Sequence, residues 1–202
     1  MIGPVLFVSI FAIEGLLRMG YDSLAMYVSE LSLGPHGWVQ ILNFIVFGLL
    51  LLAFAQGVAA GFPEVSRAGS ALLTIIAFGY LLSGPFVMDA AGTPRNLMTI
   101  HGTVHGILGG VVFSLMPVSC LVFLRGFRRE PTWRSLQWWT LAAGATITMA
   151  VVVLTIATKI APAEIAFNGW LGLIQRMAIV PYMVWLFVFA LTLRRKIAAT
   201  GR

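Results

Sequence analysis

Apolar residues fill this chain in six long stretches, separated by short polar connections rich in Gly, Pro and charge. They run roughly Ile2–Leu17, Trp38–Ala60, Ala68–Met88, Leu97–Leu124, Leu136–Thr158 and Trp170–Leu193. Within each stretch the apolar positions neither alternate, as in a strand, nor form one stripe, as in a helix lying on a soluble core. They run all round, the pattern of helices whose solvent is lipid. About 20 such residues cross the hydrocarbon core. Five stretches meet that length, and the first, short and carrying Glu14, is counted generously. The expectation is an all-α membrane protein: one domain, residues 1–202, folded as a six-transmembrane-helix bundle. No Lys or Arg precedes Arg18 and no small-x-small site closes the first stretch, so it reads as a retained helix and not a cleaved signal. Gly37-Trp38 and Gly169-Trp170 both open a stretch, but no further internal similarity follows.

Composition sharpens this picture. Of 202 residues, 59% are hydrophobic and only 10% charged, with mean hydropathy +0.95. A soluble domain carries about 25% charged residues, so a soluble enzyme, a nucleic-acid-binding domain and a disordered chain are all excluded. The partner implied by the surface is the lipid bilayer. The net charge of +6 is a topology signal, because Lys and Arg fall between the apolar stretches. With six spans, one side holds Arg67, Arg125, Arg128, Arg129, Arg134, Arg194, Arg195, Lys196 and Arg202, and the other only Arg18, Arg95 and Lys159. Nine against three places both termini in the cytoplasm. Trp133, Trp138 and Trp139 then mark the inner interface and Trp38 and Trp170 the outer one, as an aromatic belt. The single cysteine, Cys120, excludes an intrachain disulfide and reads as a packed thiol.

Polar residues inside a membrane are costly, so each needs a partner or a purpose. They gather in the outward half: Ser29, Glu30, Ser32 and His36 ahead of the second helix, Gln40 and Asn43 within it, Asp89 closing the third, His101 and His105 opening the fourth, Glu164 and Asn168 in the last outer connection, and Arg176 about 9 Å into the last helix. Glu14 and Arg18 are spaced as an i,i+4 pair. The expectation is a pocket open to the extracytoplasmic side, lined by Ser29, Glu30, His36, Asn43, Asp89, His101, His105 and Arg176.

His101 and His105 share one helix face, with Gly102, Gly106 and Gly110 as a small-residue ridge for a close neighbour. Three readings compete for the pair. First, the imidazoles hydrogen-bond Asp89, Glu30 or Asn43 and hold the bundle together. Second, they bind zinc with Asp89, Glu30 or His36 as third ligand. Third and weakest is haem, because two histidines on one helix face cannot supply opposite axial ligands. Arg176 reads as a buried ion pair with Asp89, Glu30 or Glu14, or else as an anchor for an anionic group. Ser29, Ser32 and Ser83 lack the GxSxG context of a nucleophile. Pro85, Pro117 and Pro181 are expected to interrupt their helices.

The stretch Tyr27-Val28-Ser29-Glu30-Leu31-Ser32-Leu33-Gly34-Pro35-His36-Gly37-Trp38-Val39-Gln40, running into Asn43-Phe44 and Gly48, resembles a bacterial integral membrane family catalogued as domain of unknown function 998. The likeness continues at Met88-Asp89, His101-Gly102 and Gln175-Arg176, and covers nearly the whole chain. It implies a six-helix protein of the bacterial inner membrane, with Ser29, Asp89, His101 and Arg176 at the family's polar positions. It implies no catalytic assignment. A fainter likeness to the ceramidase and adiponectin-receptor superfamily, with its Ser, Asp and His at an intramembrane zinc, is an analogy only, because the helix number differs and no His lies in the last helix.

Two functions follow as expectations. The leading one is a non-catalytic lipid or small-ligand binder, or an accessory subunit of a membrane complex with partner subunits. The alternative is an intramembrane zinc hydrolase in which His101, His105 and Asp89 hold the metal, and Glu30 or Asp89 serves as the catalytic carboxylate. A transporter ranks below both, since the inner half lacks a polar path.

Overall fold

The computed structural model describes residues 2–61, 63–160 and 166–199, with backbone alone for 63–66 and 199. Six long helices run in chain order: α1 Ile2–Leu17, α2 Gly37–Gly61, α3 Pro63–Ser83, α4 Ile100–Arg129, α5 Gln137–Lys159 and α6 Leu171–Ala199. No strand occurs among the described residues. α2, α4, α5 and α6 are long and apolar enough to cross a membrane; α1 and residues 67–83 of α3 are shorter apolar helices. The exposed surface is rich in large apolar side chains, including Leu16, Trp38, Ile107, Met149 and Met177.

Each helix packs on the next, and α6 returns to α1, so the bundle closes in sequence order. The tight seams lie around α3. A methyl group added at Gly48 would sit 2.6 Å from the Leu81 backbone nitrogen, and one at Gly79 would strike Val112. The glycine ridge expected on α4 is not such a seam: Gly106 and Gly110 would meet nothing within 4 Å, and Gly102 faces the Asp89 carboxylate instead of a helix. The hydrophobic pattern cannot distinguish a glycine that admits a neighbour from one that leaves a space.

Aromatic rings fill the axis. Phe7 contacts Phe44, Phe47 and Tyr80 at one level, and Phe123, Phe127, Trp185 and Phe189 pack at the other. Trp133, expected in the interfacial belt, is 2% exposed and stacks on Phe127 at 5.6 Å. It lies in a short turn, Pro131–Leu136, that folds back under the bundle. Trp38, Trp138, Trp139 and Trp170 are exposed, as a belt requires.

α3 ends at Ser83 and not at Met88, because Gly84-Pro85 follows: proline disfavours helical backbone in the residue before it. Pro85 therefore terminates a helix, whereas Pro117 and Pro181 lie inside α4 and α6. The fourth helix starts later than its apolar run, at Ile100, where Thr99 caps it by accepting the Gly102 N–H at 2.9 Å.

Candidate functional site

The segment 18–36 folds over the ends of α1, α2 and α6. Gly20 and Gly34 take positive φ of 76° and 85°, which glycine alone adopts without strain. Between them Val28–Ser32 forms a fully buried short helical turn. The start of α6 holds this segment by its backbone. The otherwise unpaired N–H groups of Gly172 and Leu173 donate to the carbonyls of Ala25 (3.2 Å) and Leu24 (2.9 Å).

Side chains extend the same seam. Gln175 Oε1 accepts the Val28 N–H at 2.8 Å. Arg176 Nη1 donates to the carbonyls of Ser23 (2.7 Å), Met26 (3.0 Å) and Gly172 (2.9 Å), and its Nη2 to the Tyr21 hydroxyl. The guanidinium also lies 5.8 Å from the Phe11 ring centroid. Arg176 is thus taken up by neutral carbonyls and a phenol, and not by the carboxylate of Asp89, Glu30 or Glu14. Arg18 likewise donates Nη1 to the Glu30 carbonyl at 2.5 Å. Glu30 spends Oε1 on the Tyr27 N–H at 2.8 Å. Burial, and then the Glu30 charge, push the Tyr27 hydroxyl up to about 12; burial also raises Tyr21, against the opposing pull of Arg176.

The two histidines act as staples. His101 Nδ1 lies 3.2 Å from the Pro85 carbonyl and His105 Nδ1 2.7 Å from that of Phe86. A carbonyl can only accept, so each ring carries its proton on Nδ1. The residues left outside α3 by its early end supply the acceptors. The bundle-holding reading fits this geometry, with backbone carbonyls in place of Asp89, Glu30 or Asn43. Asp89 accepts the Thr99 N–H and hydroxyl, each at 2.9 Å, and so orients the cap of α4. Asn43 Nδ2 donates to the Phe7 carbonyl and to Gln40 Oε1, both at 3.1 Å. His36 is exposed at the head of α2. Among the described residues no three His, Cys, Asp or Glu side chains group as a metal site. Glu164 lies outside the described residues.

A cavity of ≈ 370 Å³ lies beside this seam, bounded by the 27–29 turn and by α2 to α6. Of the eight expected pocket residues it is lined by two, Ser29 and His105; Glu30, His36, Asn43, Asp89, His101 and Arg176 are elsewhere. The rest of its polar lining comes from Tyr27, Tyr80, Ser83, Ser114, Gln175, Thr155, Thr158 and Lys159. Tyr80 is 4% exposed, and its hydroxyl is buried without a partner. The lining residues that reach the surface, such as Gly106, Gly110, Thr155 and Lys159, belong to α4 and α5. The exposed part of the lining therefore lies on the flank between these helices. Spacing carried a signal for part of this set: Tyr80 and Ser83 at i,i+3, and Thr155, Thr158 and Lys159 at i,i+3,i+4, each share a helix face.

No curated protein and no solved structure matches the chain. The family described as "Protein of unknown function (DUF998)" matches residues 1–192. That match covers all six helices save the last turns of α6, and the chain belongs to this family.

Proposed function

We propose that this protein is a non-catalytic binder of a small amphipathic molecule, held in the cavity among α2 to α6. The observation that carries the reading is the cavity itself, with an orphaned Tyr80 hydroxyl among its lining residues. A buried hydroxyl without a partner costs about 1–3 kcal/mol; its oxygen is closed off from the cavity as the side chains stand, so a ligand's polar atom would relieve that cost through a small movement of the lining. A volume of ≈ 370 Å³ lies in the usual range for small-molecule sites, about 300–1,000 Å³. The two candidate catalytic carboxylates are occupied structurally: Glu30 on a backbone N–H, and Asp89 on Thr99.

In this reading the chain spans the bacterial inner membrane six times with both termini cytoplasmic. The arginine-rich ends of α4 and α6 support that orientation. α1, about 24 Å long at 1.5 Å per residue, packs on α2 and α6 and so belongs within the bundle despite its length.

The test is mass spectrometry of protein extracted gently from its own membrane. A bound small molecule is expected in the wild type and lost in Gly110→Phe, which fills space where an added methyl meets nothing within 4 Å. Ligand retained at wild-type level by Gly110→Phe would refute the site.

A further inference from the structure

We infer that the cavity takes an anionic amphipath with one hydrocarbon chain, admitted sideways from the bilayer between α4 and α5. This rests on the binding reading above, and adds the ligand class and its way in.

The two helices touch in their inner halves, where a methyl added at Gly144 would lie 3.1 Å from Cys120 Cβ. Further out they part. Gly106, Gly109 and Gly110 present no side chain to the gap, and a methyl at any of them would meet nothing within 4 Å. The cavity lies behind this opening, which faces the surface where the bundle meets lipid. A hydrophobic molecule already in the bilayer can enter there without crossing water.

Polarity inside the cavity is graded along the helices. Ser83, His105 and Gln175 sit within about one turn of their helix ends, while Val112, Phe113 and Val151 lie further in, with Ser114 the one polar side chain of α4 at that depth. From Lys159 to Val151 is about 12 Å of helix, a depth suited to an inserted chain. The volume is near the lower limit for ligand sites, which favours one chain over two. At the mouth stands Lys159, the last residue of α5, exposed and the sole charged lining residue among those described. Its flexible stem lets the ammonium stay at the interface above an apolar trough. An acidic head would pair with Lys159; where that head is a phosphate, the acyl ester carbonyl below it would accept from Tyr80. That head could be the phosphate of a lysophospholipid or the carboxylate of a fatty acid.

The experiment measures thermal unfolding of the full chain in a neutral maltoside. The added probes are oleate, oleoyl lysophosphatidylglycerol, oleoyl lysophosphatidylcholine and oleyl alcohol. We expect saturable increases in Tm with the first two, at concentrations where the last two do little; the one saturating lower identifies carboxylate or phosphate. Lys159→Gln should weaken their apparent affinity about fivefold, the order expected for one interfacial lysine. Gly110→Phe should abolish the shift, with Gly106→Leu as a second filling variant should the first misfold. Equal shifts with oleyl alcohol, unchanged by Lys159→Gln but lost in Gly110→Phe, would overturn the anionic class and leave the cavity reading standing. Shifts that survive both filling variants would overturn the cavity reading and this inference with it.

Discussion

Tyr80→Phe offers a sign test of whether the cavity works by supplying a partner to a buried hydroxyl. The Tyr80 ring packs edge-on against Phe7 (5.3 Å) and Phe47 (4.7 Å), and phenylalanine keeps those contacts unchanged. Only the hydroxyl is deleted, and it has no partner. Removing an unsatisfied buried hydroxyl returns its desolvation cost, about 1–3 kcal/mol, so the ligand-free variant should be more stable than wild type by that amount. With ligand present the hydroxyl makes a hydrogen bond worth about 0.5–1.5 kcal/mol net, and deletion should then be neutral or destabilising. The assay is unfolding by titrated SDS in mixed micelles, on exhaustively delipidated protein and on gently extracted protein. Stabilisation in the first and its loss in the second support the argument. The same change in both preparations would show that the ligand does not use the hydroxyl. Destabilisation of the delipidated variant would show that a buried water already satisfies it, and would refute the reasoning.

Four further outcomes are expected. Gly172→Ala places a methyl against the Met26 and Ser23 carbonyls, so it should free the 18–36 segment; faster hydrogen exchange at residues 21–30 and a loss of about 1–3 kcal/mol would register it. Arg176→Gln abandons three carbonyl acceptors and should open the same segment to protease, whereas an ion pair would instead make Arg176→Lys a full rescue. Tyr27 ionises near 10 when unfolded but at about 12 when folded, so the folded state loses stability as pH rises through 10 to 12; alkaline unfolding of Tyr27→Phe should lack that component. Elemental analysis should find zinc and iron at background in wild type and in the His101→Ala, His105→Ala double variant, because both Asp89 oxygens are engaged by Thr99; stoichiometric metal lost in the variant would revive the hydrolase reading.

The helices are legible because apolar residues run all round each of them, and four reach the about 20 residues that a span needs. Their order around the bundle is not, because periodicity carries no information about which neighbour a face meets. The same gap explains the site. In apolar surroundings an ionisable residue is expected to seek a charged partner, since a buried charge usually needs one. Here the 18–36 segment and the 84–99 connection offer backbone carbonyls outside the long helices instead. Arg18, Arg176, His101 and His105 all donate to backbone carbonyls of these two segments. Such acceptors belong to every residue alike and leave no mark in the sequence, except where Gly84-Pro85 ends α3 and releases two of them. The cavity was hidden for the opposite reason. It is made by what is absent, at Gly106, Gly109 and Gly110, and its most telling polar group is a tyrosine that reads as one more aromatic in an apolar helix. A polar-residue search finds the groups that hold the fold together, because those are the ones a membrane protein cannot leave unpaired. A binding site is better sought where small residues meet open space and a buried hydroxyl still lacks a partner.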